Sequence, residues 1–252
     1  MPEWAAFAGF VGVVLAGLLF LARASTSAVV PSPDPQGTEF PATLTDRVVG
    51  TPEHRRPRAG PMRLSTTALL VNVAVSQGLF ASLLVVGIWV ASVPASTLGL
   101  TAAALGPVPL AAGVGLGLGL HAVNAVGSRV TERFGLGDTT ALREAMAPDS
   151  ARGWAALLLV VLPLVAGFEE LLFRGVLIGA FATGFGVPPW LLVALSSVAF
   201  ALGHGAQGRI GIVVTGALGF VLGVAFVLTG SLIAVIVAHY LVNALEFVVN
   251  ES

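Results

Sequence analysis

Seven long apolar runs dominate this chain, at roughly 4–22, 66–92, 108–127, 153–184, 189–204, 210–228 and 231–249. Each comes near the length of about 20 residues that a helix needs to cross a hydrocarbon core. In lipid every backbone N–H and C=O must find its partner within the protein, so runs of this kind fold as helices. The expectation is an all-α, polytopic membrane bundle of about seven transmembrane helices, with six to eight as the range. Composition agrees: the 252 residues are 56% hydrophobic and only 10% charged, with a mean hydropathy of +0.94. A soluble domain averages about 25% charged residues, and this chain could not cover its surface with polar groups. The net charge of −1 gives no electrostatic reason for a nucleic-acid partner. The absence of cysteine removes disulfides, thiolate ligands and a cysteine nucleophile, and the absence of lysine removes Schiff-base chemistry.

The chain divides into 1–64, a first helix and a proline-rich linker; 65–149, two further spans and a charged amphipathic segment; and 150–252, the C-terminal spans. The n-region "MPEW" carries an acid and no base, which favours a retained first helix over a cleaved leader, although "ARASTSA" offers small residues behind it. The linker at 24–64 ends near "HRRPR", a topology anchor, and contains His54. Arginines assign the sides. Six lie at 23–63 and four at 129–152, while Arg209 follows the fifth span. With seven helices all eleven fall on one side, and the opposite loops at 93–107, 185–188 and 229–230 carry no charge. The positive-inside rule then predicts a multi-pass cell-membrane protein with its N-terminus outside and its C-terminus cytoplasmic. The stretch 93–107 is too broken by proline and glycine to span and reads as a loop or re-entrant piece. Residues 128–152 should include a cytoplasmic surface helix. Gly113/Gly117 and Gly219/Gly223 allow close helix contact and imply a bundle, without bearing on activity.

Against this background "GFEELLFRG" at 167–175 is costly. Each ionised residue at a helix centre costs about 2.5–3.5 kcal/mol on insertion scales. Glu170 and Arg174 stand at i, i+4 with the acid first, so they can neutralise each other. Glu169, turned by roughly 100°, has no partner in its own helix. Such an acid suits a general base that takes a proton from water and later returns it. Companions occur at matching depth. The turn between the fourth and fifth spans centres near Val187, with Glu169 18 residues before it and His204 17 after. His239 and Asn243 in "HYLVN" share one face of the last helix. His121 could pair with Asn124 across a turn, though packing explains it as well. Glutamate, two histidines and an asparagine could activate water and stabilise an oxyanion, or could hold a metal; the spacing does not choose.

"EELLFR" at 169–174, "FALGH" at 200–204 and "HYLVN" at 239–243 resemble, complete and in order, the three motifs of the CPBP family. This is the family of CAAX-processing intramembrane endopeptidases and bacteriocin-processing or immunity proteins. The resemblance covers about 150–250 and implies a helical membrane protease with a cavity open to the cytoplasm. It implies Glu169 as the water-activating base and His204 as the residue that holds or polarises that water. His239 and Asn243 become the oxyanion pair, with Glu170, Arg174 and Phe200 in support. The mechanism it implies needs either no cofactor or Zn2+, in which case Glu169, His204 and His239 would be the ligands. The expected partners are a membrane-anchored peptide or protein substrate, possibly prenylated, and the lipid bilayer. A non-proteolytic scaffold or immunity protein and a proton-coupled transporter are the rival readings.

Overall fold

A computed structural model describes residues 2–29, 65–133, 141–205 and 208–251. The linker with "HRRPR" and His54 lies outside these. Eight helices are formed among the described residues: α1 (Trp4–Val29), α2 (Thr66–Val90), α3 (Pro107–Arg133), the short α4 (Ala141–Met146), α5 (Ala151–Phe185), α6 (Pro189–Gly203), α7 (Gly208–Thr229) and α8 (Leu232–Glu251). Six are long and apolar enough to cross a membrane, and α6, with 15 residues, is shorter. The bundle is therefore all-α and polytopic, and the predicted runs and the observed helices agree closely. The surface is apolar where a soluble protein would be polar: Phe20, Trp89, Val108 and Leu228 are all more than two-thirds exposed. In the same molecule Glu170 and Arg174 are completely buried. That inversion is what a lipid solvent imposes.

Side-chain hydroxyls and glycines set several helix ends. Ser65 Oγ accepts from Ala68 N and starts α2, and Ser150 Oγ accepts from Gly153 N and starts α5. Gly186, at φ +66°, closes α5 in the left-handed region that other residues avoid. Within α5 the turns widen to π geometry at Leu157–Val161 and again at Leu171–Ala180. Ser196 of α6 donates to the Phe173 carbonyl inside the second widened stretch, at 2.6 Å.

Small residues let the helices close. A Cβ added at Gly113 or Gly117 of α3 would collide with the backbone of Ala234 or Ala238 of α8, so the two helices meet backbone to backbone. The segment after α2 forms no membrane-length helix. Its single 3-10 turn, Ala95–Leu98, packs against Gly175 and Gly179 of α5 and buries Leu98. Gly99 O accepts from Leu232 N at 3.1 Å, and Ser231 Oγ donates to Ala104 O at 2.6 Å. This plug fixes α5 relative to the start of α8.

Candidate active site

Three helices bring their polar residues to one point. Glu169 and Glu170 lie midway along α5, His204 caps the C-terminal end of α6, and His239 lies two turns into α8. Glu170 Oε1 accepts from Arg174 Nη1 at 2.7 Å, and His239 Nδ1 reaches the same oxygen at 2.7 Å. Arg174 Nη2 donates to the carbonyl of Gly219 on α7 at 2.9 Å. Its guanidinium also lies over the Phe200 ring, 4.7 Å from the centroid. A buried arginine needs such contacts, because an uncompensated charge in this position is very costly; its Nε alone is left without a hydrogen bond.

Glu169 faces both histidines. Its Oε1 is 3.9 Å from His204 Nε2 and its Oε2 is 3.8 Å from His239 Nε2. These separations exceed a direct hydrogen bond. The far side of each ring is tied down. His204 Nδ1 lies 2.8 Å from Phe200 O, an acceptor only, so Nδ1 carries a proton and donates. His239 Nδ1 is fixed in the same sense by the Glu170 carboxylate. In the neutral rings both Nε2 atoms are then lone pairs directed toward Glu169. The Phe200 ring packs beside both, with centroids 4.6 Å from His204 and 6.0 Å from His239. His204 is the most open of the three, with 23% of its side chain exposed.

The depth argument for Glu169 and His204 is borne out by this geometry, and so is the Glu170–Arg174 pair. Asn243 is half-buried one turn beyond His239 and takes no part in the contacts above. Sequence reasoning grouped His239 with Asn243, whereas His239 is held by Glu170. It also missed the Gly219 carbonyl, for which no local signal exists, since Arg174 lies 45 residues away. His121 and Asn124 do not pair with each other; both meet Glu246 Oε2, at 3.6 Å and 3.0 Å. The donors around Glu169 are of the kinds zinc uses. Among the described residues, however, no three histidine, aspartate or glutamate side chains gather closely enough to hold a metal ion. The two rings address different oxygens of Glu169. A cavity of about 380 Å³ between α1 and α2, against Phe7, Phe10 and Gly87, is largely apolar with Glu3 in its wall, and neither Glu169 nor Glu170 lines it.

Residues 151–245 match the family model of the type II CAAX prenyl endopeptidases, Rce1-like. The Rce1-like segment takes in every candidate residue from Glu169 to Asn243 and agrees with the resemblance carried by the three motifs. No curated protein and no solved structure matches the chain. At family level, the Rce1-like match supports a CAAX-type membrane endopeptidase.

Proposed function

We propose that this protein is an intramembrane endopeptidase that hydrolyses peptide bonds of membrane-associated substrates by glutamate-activated water. The observation that carries the reading is the position of Glu169: a buried carboxylate whose two oxygens each lie within 4 Å of a histidine Nε2. A water oxygen shared by Glu169 and His204 attacks the scissile carbonyl carbon as Glu169 takes its proton. The carbonyl π electrons move to oxygen, and the oxyanion is met by His239 with Asn243 beside it. Donation from His239 Nε2 requires the ring to carry both protons, with Glu170 as counter-charge behind it. Collapse of the intermediate breaks the C–N bond, and Glu169 returns its proton to the leaving nitrogen. The products are a carboxylic acid and an amine, and the acid's proton then passes to the amine, giving a carboxylate and an ammonium ion. The arginine distribution supports a site that opens toward the cytoplasm.

The test compares reconstituted wild type with Glu169→Gln on farnesylated and unmodified C-terminal peptides, with products read by mass. Wild type is expected to cleave and the variant to lose at least a hundredfold, in the range seen when a general base is removed. Equal cleavage by both would sink the assignment. Function that survives the substitution in cells would point to a scaffold instead. Activity is also expected to persist after chelation; loss on chelation with recovery on added zinc would move the reaction to a metal.

A further inference from the structure

Gly219, in the middle of α7, carries no chemistry of its own, yet it touches both halves of the site. Its carbonyl holds Arg174 Nη2 at 2.9 Å. A Cβ placed on it would stand 3.0 Å from Phe200 Cδ1, 3.6 Å from Phe200 Cβ and 3.5 Å from Arg174 Nη2. Phe200 cannot yield freely, because its ring packs on His204 and its carbonyl holds His204 Nδ1. Arg174 cannot yield freely either, since Glu170 binds its other Nη and shares an oxygen with His239. The missing side chain at 219 therefore leaves room for Phe200, and through it His204, while the backbone carbonyl of the same residue holds Arg174 and, through Glu170, His239. Gly223, one turn further, is nearly as crowded but only by aliphatic groups: its Cβ would meet Val193 Cγ1 at 3.1 Å and Ile178 Cδ1 at 3.4 Å.

We propose that Gly219 is a positioning residue of the site, holding Arg174 by its carbonyl and spacing Phe200 so that His204 and His239 face Glu169. It does more than allow α6 and α7 to pack. The kinetic part of this proposal rests on the protease reading; the structural part does not.

The experiment compares Gly219→Ala with Gly223→Ala in the full chain in nanodiscs, with the histidine ring nitrogens labelled for NMR. Gly219→Ala is expected to shift the ring signals of His204 and His239, and Gly223→Ala to leave both in place. With peptide substrate, Gly219→Ala should lower kcat by about tenfold or more while KM stays near wild type, and Gly223→Ala should change neither. Unmoved histidine signals in Gly219→Ala, or equal movement in both variants, would overturn the proposal. If wild type cleaves no peptide, the protease reading fails while the ring signals still decide the role of Gly219. Should Gly219→Ala not fold, adding Phe200→Leu removes the ring atoms in the way. Recovered folding in that double variant, with His204 and His239 signals matching those of Phe200→Leu alone, supports the spacing role, and a double variant that still fails to fold, or whose ring signals differ from that control, refutes it.

Discussion

Glu170 and Glu246 each stand between an arginine and a histidine, in different surroundings. Glu170 meets Arg174 and His239 at 2.7 Å each, and all three side chains are at most 4% exposed. Glu246 meets Arg143 at 2.7 Å, with Asn124 and His121 beside it, at the end of α8 where the partners are 16–19% exposed. Arg143 also reaches Glu251 at 2.7 Å, so the short α4 is pinned to α8 by two carboxylates. The same residue types thus do different work. In the dry cluster each member is needed to make the others tolerable. At the rim, water can replace a lost partner.

Three measurements separate the two clusters, beginning with the largest effect. Arg174→Met leaves Glu170 buried beside only a histidine and should cost about 3–5 kcal/mol, read as a fall in thermal unfolding temperature in detergent. Glu170→Met combined with Arg174→Met should recover most of that stability without recovering activity, because His239 Nδ1 then has no acceptor. A double variant no more stable than Arg174→Met would show that the cluster is not the closed electrostatic unit described above. Arg143→Ala should cost only about 1 kcal/mol, and the difference from wild type should shrink as salt is raised. A loss at Arg143 as large as that at Arg174, or one indifferent to salt, would remove the contrast.

The two clusters also differ in how far the sequence announces them. Glu170 and Arg174 are one helical turn apart, and a local rule suffices to pair them. Glu169 and His204 could be matched because a single tight turn near Val187 reflects one helix onto the next. The contact of His239 with Glu170 follows from the rotation of α8 about its axis. That rotation is fixed by glycines of α3 against Ala234, Ala238 and Leu241, a long-range contact that spacing within "HYLVN" does not reveal. Glu246 draws on residues more than a hundred positions away, so no spacing could have revealed it. The π turns of α5 were equally hidden, because an apolar run reads the same at 3.6 or 4.4 residues per turn. The apolar runs themselves were fully legible, since lipid constrains composition before it constrains packing.

The shortness of α6 has a consequence for supply. At 15 residues it covers about 22 Å, against the roughly 30 Å of a bilayer interior. A stunted helix leaves the membrane to thin around its end or the aqueous phase to follow it inward. Hydrolysis consumes a reagent that oil does not carry, and α6 stops at His204, the most open member of the site. The missing turn and a half leaves His204, and the Glu169 carboxylate within 4 Å of it, at the foot of a shortened helix, so water has less hydrocarbon to cross than it would beside a full-length span.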